Sequence, residues 1–136
     1  MSRSAGTLVD SSVILDVLTE DPRWLGWSEG ELKAAAERGA LVINAVVVAE
    51  IVPRFSRIEA LRDALQPTFA IEEIPLEACF LAGHAHAAYR RAGGRRAAVL
   101  PDFLIGAHAA VSARPLLTRD PRRVATHLPG VDLICP

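Results

Sequence analysis

Cysteine is nearly missing from this chain. Of 136 residues only Cys79 and Cys135 carry a thiol, and neither sits in a CxxC pair or beside a histidine at ligand spacing, which excludes a disulfide framework and a thiolate metal site. Both read as buried or idle thiols. Lysine is scarcer still, Lys33 being the only one among 15 basic residues. Long apolar runs are absent too: "ALVINAVVVA" is broken by Asn44 and followed by Glu50, well short of the ~20 residues that span a bilayer. No membrane segment is expected. No Gly-rich turn follows a strand-like run, which excludes a P-loop or dinucleotide site. The opening "MSRSAGT" lacks the apolar stretch and small-residue cleavage site of a secretory leader, so a cytoplasmic location is expected. Internal repeats and low-complexity linkers are also absent.

What is present describes a folded domain. Hydrophobic residues make up 51% of the chain and charged ones 23%, a balance that excludes general disorder. The length suits one core, so residues 1–136 are read as a single domain. The net charge of −1 hides an asymmetry: residues 1–86 hold seven cations and thirteen anions, residues 87–136 eight arginines and three aspartates. The arginines gather in "YRRAGGRRAA" and "TRDPRR", clusters that suit either a solvated basic face or a phosphate backbone.

Short apolar runs alternate with helical patterns along the chain. "TLVD" reads as a strand feeding the helix "SSVILDVLTE", whose serines can cap it. A helix is predicted from about Trp24 to Arg38, followed by a strand, "ALVIN", and a helix, "AVVVAEIVPRF", capped by Asn44. "RIEALRDALQ" is a short amphipathic helix closed by Pro67. "FAIEEIP" is a third strand, and "LEACFLAGHAHAAYRRAGG" a long helix stopped by Gly93 and Gly94, with "RRAAVL" a candidate mobile loop. The apolar helix "LPDFLIGAHAAV" leads to a strand, "RPLLTRD", the short helix "PRRVATHL" and a last strand, "VDLIC". This alternation specifies an α/β sandwich with a mainly parallel five-stranded sheet flanked by helices.

In such sheets polar functional residues collect beyond the carboxyl ends of the strands, and four acids are placed to do so. Asp10 ends the first strand and Asp120 follows the fourth, while Glu50 lies on the helix after the second strand and Asp102 opens the helix before the fourth. Singly, Asp10 and Asp102 suit helix caps, Asp120 a turn and Glu50 the rim of an amphipathic helix. Together they would repel one another, a penalty that a hard divalent cation with oxygen ligands removes. Mg²⁺ or Mn²⁺ is the expected occupant. Gly106 and Ala109 would let the Asp102 helix pack close to the sheet.

With "LVDSSVILDVL", "VVVAEIV", "LPDFLIGAHA" and "LLTRDPRRV" in this order, the chain resembles the PIN domain, and in particular the small VapC-like toxins of bacterial toxin–antitoxin pairs. The resemblance covers essentially the whole chain. It implies a three-layer sandwich in which Asp10, Glu50, Asp102 and Asp120 are the metal-binding and catalytic acids, with Ser11 or Ser12 and Thr118 as polar helpers. It further implies homodimerisation, Mg²⁺-dependent endoribonuclease activity, and a small antitoxin whose C-terminal segment covers the site and is expected to bring a basic side chain to it. Pro101 before Asp102 and Phe103 after it, where a small residue is commoner, depart from the family pattern. Cations at the acids would orient an RNA phosphate and activate water, leaving 3′-hydroxyl and 5′-phosphate ends. Arg95, Arg96, Arg119, Arg122 and Arg123 are the candidate phosphate clamps.

Several other residues suit structure better than chemistry. Asp16 suits a solvated or Arg-paired acid better than an accessory group at the pocket, His108 a core or interface histidine, and His84 and His86 stand too close in sequence for an i, i+4 zinc pair. Trp24 and Trp27 suit core packing or an apolar patch for a partner. A phosphoaspartyl hydrolase requires a second acid two positions after Asp10, where Ser12 stands. A receiver domain requires a lysine at the end of a late strand. The remaining alternative is a non-catalytic module of the same fold that binds RNA or protein.

Overall fold

Three consecutive buried residues, Thr7–Val9, form the central strand β1, and the rest of the molecule is assembled on either side of it. The computed structural model describes residues 6–95 and 99–136. The other strands are β2 (Leu41–Ile43), β3 (Phe69–Ile71), β4 (Leu116–Leu117) and β5 (Leu133–Ile134), in the order β3-β2-β1-β4-β5 with every pairing parallel. Parallel neighbours need crossover connections, which place helices over both faces of the sheet. The inner strands are accordingly apolar throughout: Leu8, Val9, Ile43, Leu116 and Leu117 are withdrawn from solvent. The edge strand β3 is not, and Ile71 is 57% exposed.

The crossovers are helices α1 (Ser11–Leu18), α2 (Leu25–Arg38), α3 (Ala45–Ile51), α4 (Ile58–Leu65), α5 (Leu76–Arg91), α6 (Leu100–Ser112) and α7 (Arg122–His127), with a 3₁₀ turn, Val52–Arg54, after α3. This is the three-layer α/β sandwich expected from the alternating pattern. The strands are shorter than their apolar runs suggest. β3 is three residues long, and the Glu72 N–H still donates to the Ile43 carbonyl at 2.8 Å; the Glu72 side chain is held by His108 and Arg114, and Pro75 takes the N-cap position of α5. Asn44 caps α3 as expected, its Oδ1 accepting from the N–H groups of Val46 (3.0 Å) and Val47 (3.1 Å).

Helix α6 is the buried centre of its layer. Pro101 fits its first turn, where a backbone N–H has no partner to lose. Phe103, Ile105, Ala107 and Ala109 are buried along it, and a side chain such as Phe103 contributes on the order of 2–3 kcal/mol when fully enclosed. One packing expectation is corrected. Gly106 makes room for α7 rather than for the sheet, since a Cβ there would lie 2.9 Å from Leu128 Cδ1 and 3.0 Å from Val124 Cγ2. Cys79 and Cys135 are free thiols at the surface, not core residues.

The functional consequence lies at the carboxyl ends of β1 and β4. The register pairs Leu8 with Leu116 and Val9 with Leu117, and the Asp10 N–H donates to the Leu117 carbonyl at 2.9 Å. The chain leaves β1 toward β2 on one side, and β4 lies on the other. Asp10 and Thr118 therefore emerge side by side where the strand order switches direction.

Candidate functional site

Asp10 occupies the cap position of α1, with extended backbone (φ −74°, ψ 151°), yet its carboxylate makes no capping hydrogen bond. Its Oδ2 instead accepts from Ser12 Oγ (2.6 Å) and Thr118 Oγ1 (2.9 Å). Thr118 Oγ1 in turn accepts from the Asp120 N–H at 3.1 Å, so one hydroxyl joins the acids after β1 and β4. The serines expected to cap α1 are likewise taken from that task. Ser12 serves Asp10, and Ser11 Oγ donates to Glu50 Oε1 at 2.8 Å across to α3.

Asp102 stands in the first turn of α6 and accepts from Arg123 Nη1 at 3.1 Å. Asp10, Asp102, Thr118, Asp120 and Arg123 line one crevice over a floor of Ile105, Leu116 and Val124. Glu50 is set at its margin and reaches the others electrostatically. Burial pushes Glu50 above the ordinary glutamate value; the Ser11 hydroxyl opposes this, and the charges of Asp10 and Asp102 add to it. Burial also raises Asp102, with Asp10 and Asp120 adding repulsion and Arg123 opposing it. All four acids therefore share one field although they come from four separate segments.

The donor set consists of carboxylate and hydroxyl oxygens, which suits a hard divalent cation and no soft metal. Mutual repulsion at partly desolvated carboxylates is the penalty such a cation relieves. Among the described residues no group of three or more His, Cys, Asp or Glu side chains is gathered closely enough to hold a metal ion as the side chains stand; Arg123 is bonded to Asp102 and Ser11 to Glu50. A larger apolar hollow, lined by Ile14, Leu32, Ile51, Phe55, Leu65 and Phe69, offers no polar chemistry.

The PIN domain pattern matches residues 7–126, a span containing all four acids. The chain belongs to the PIN domain family. No protein of curated function matches it in sequence. Among solved structures it is similar in fold to the VapBC2 complex of Rickettsia felis bound to a DNA fragment from its promoter, with a TM-score of 0.73 at 17% identity over 97% of this chain and 99% of that one. VapBC-1 of nontypeable Haemophilus influenzae gives 0.72 at 13% over 96% and 98%. A toxin–antitoxin complex of Klebsiella pneumoniae gives 0.67 at 21% over 93% and 95%.

The arginines of this PIN domain divide by what holds them. Arg119 is committed to Asp16 through Nε (2.8 Å) and Nη2 (2.9 Å). Arg123 pairs with Asp102 and is largely enclosed. Arg122 touches Asp120 but is 81% exposed, and Arg95 is exposed. Arg96 lies outside the described residues. Asp16 is thus Arg-paired, one of the readings its position allowed. Trp24 and Trp27 form a half-buried edge-to-face pair, with Arg23 and Arg119 over Trp24.

One supporting network has no sequence signature. His108 is fully buried; its Nδ1 accepts from Asn44 Nδ2 (3.0 Å) and its Nε2–H donates to Glu72 Oε1 (2.8 Å), a neutral tautomer assigned from these partners. Arg114 also binds Glu72. Burial alone would raise Glu72, but the hydrogen bonds from Arg114 and His108, with the Arg114 charge, outweigh it and leave the carboxyl below its ordinary value. The Asp102 helix is thereby tied to the cap of the Glu50 helix.

Proposed function

We propose that this chain is a metal-dependent endoribonuclease and the toxin of a toxin–antitoxin pair. The observation that supports this reading is that Asp10, Asp102 and Asp120 line one crevice at the switch point of a PIN fold, with Glu50 within electrostatic reach of Asp10 and Asp102. Mg²⁺ or Mn²⁺, when bound, would supply charge neutralisation and the activation of water for attack on phosphorus. Asp10 would be among the residues that hold the cation: both hydroxyl bonds fall on its Oδ2 and orient the carboxylate. Asp102, Asp120 and Glu50, the last held by Ser11, would supply further carboxylate oxygens. Arg123 is placed to leave Asp102 and neutralise an incoming phosphate, with exposed Arg122 and Arg95 tracking the RNA backbone.

The partners follow from the surface. A small antitoxin is the natural inhibitor, its basic side chain replacing a cation among the acids and its apolar segment seated in the hollow between α1 and α4. A homodimer would use the outer face of α5, where Leu76 is 82% and Phe80 70% exposed beside Gly83 and Ala87. Antiparallel pairing of two α5 helices about Gly83–His84 would set Phe80 on the partner's Ala87 and Glu77 against the partner's Arg90, a self-complementary pattern.

The test is incubation of antitoxin-free protein with structured RNA in Mg²⁺ or Mn²⁺, in EDTA, and as Asp10→Asn, with the product ends mapped. Discrete metal-dependent cuts bearing 5′-phosphates, abolished in the variant, are expected. RNA left intact by folded, metal-loaded wild type would replace this reading with a non-catalytic RNA- or protein-binding module.

A further inference from the structure

Asp16 is a carboxylate outside the acidic crevice, on α1, and only 2% exposed. Its oxygens are fully engaged by donors. Arg119 grips both of them, Nε on Oδ2 at 2.8 Å and Nη2 on Oδ1 at 2.9 Å, and Ser28 Oγ on α2 donates to Oδ2 at 2.7 Å. The guanidinium also lies over the Trp24 ring, 5.4 Å from its centroid. A two-point fork of this kind fixes direction as well as distance, which a single-point contact does not.

The position of Arg119 in the chain gives the fork its meaning. It is flanked by Thr118, whose hydroxyl binds Asp10, and by Asp120, whose N–H binds that same hydroxyl. Its own N–H donates to Ser12 Oγ at 3.2 Å, and Ser12 donates to Asp10. Residue 119 is thus pinned at its backbone by Ser12 and at its side-chain tip by Asp16, about one turn further along the same helix. We infer that Asp16 and Arg119 are positioning residues that lock the β4–α7 turn onto α1 and so set Asp10, Thr118 and Asp120 in register for a cation. On this assignment Arg119 is not a phosphate clamp, although it belongs to the basic cluster next to the acids.

The inference rests on the metal-dependent reading proposed above, and two readouts separate their failures. Mn²⁺ affinity is measured by titration calorimetry on the full chain and on Asp16→Asn and Arg119→Lys, each checked by thermal melt to be folded at the assay temperature. Asp16→Asn is expected to weaken Mn²⁺ binding by about tenfold or more, the usual effect of removing a group that orients a ligand. Arg119→Lys, which keeps the charge but loses the fork, is expected to lose less. If Asp16→Asn fails to fold, Ser28→Ala, which leaves the ion pair in place, is expected to show a smaller loss in the same direction. RNA binding is then followed against salt for Arg119→Gln: an unchanged slope is expected, whereas a phosphate-contacting arginine would lower it by about 1. Wild-type Mn²⁺ affinity in the variants, or a reduced salt slope, overturns the inference. A wild type that binds no Mn²⁺ overturns the metal reading and this inference with it.

Discussion

Asp10, Ser12 and Thr118 meet on a single carboxylate oxygen, and that contact separates the two roles an aspartate after a strand can take. A cap would spend its oxygens on backbone N–H groups; Asp10 spends one on two hydroxyls and makes no capping bond. The neighbouring acids give this arrangement a pH signature. Glu50 and Asp102 are raised in the fold above their ordinary values of 4.5 and 3.8, by burial first and mutual charge second. The native state therefore binds more protons than the unfolded one in that range. Their contribution to stability is full below the ordinary values and is lost as pH rises through the elevated ones. In EDTA, Glu50→Gln, which keeps an acceptor for Ser11, should melt above wild type at pH 7.5 and level with it near pH 4. Added Mn²⁺ should raise the melting temperature of wild type more than that of the variant. Differential scanning fluorimetry across pH checks both, and a variant that melts below wild type at pH 7.5 contradicts the repulsion argument.

Helices α3 and α6 carry Glu50 and Asp102, and one buried imidazole joins them. Asn44 caps α3 with its oxygen and donates to His108 with its nitrogen, and His108 reaches Glu72 just past β3. Asn44→Ala removes the cap, worth about 1 kcal/mol, and leaves a buried ring nitrogen without its donor, a further 1–2 kcal/mol or so. A loss of about 2–3 kcal/mol in urea unfolding, with unchanged m value, is the expected outcome. A loss under about 1 kcal/mol would mean that His108 finds another partner. The cap itself was legible in "INAVVVA", because capping is a local rule. The bond to His108 was not, since it joins residues 64 apart in the chain. The partners of Glu72 were hidden for the same reason: nothing local in "FAIEEIP" shows that its side chain meets His108 and Arg114, 36 and 42 residues away in the chain. Gly106 was recognised as a point of close approach, but its neighbour, α7, depends on how the last crossover folds back.

Over the whole molecule, the strand order puts β1 between β2 and β4, and among the described residues the outer face of α5 is exposed at Leu76, Phe80 and Gly83. Phe80→Arg sets a charge where the proposed dimer would bury a ring, so sedimentation should show wild type as a dimer and the variant as a monomer with an unchanged melting profile. A wild type monomeric at high micromolar concentration would rule out the α5 pairing. The sequence alone determined the α/β class and the PIN resemblance and singled out the four acids proposed as the site, because apolar alternation and the motif order are written locally. Only the tertiary structure decided which hydroxyl serves which carboxylate, that Arg119 is bound to Asp16, and that His108 ties α3 to α6. The physical reason is that a parallel sheet brings distant segments to one edge, and a side chain's partner there is set by register and packing, which no local stretch of sequence encodes.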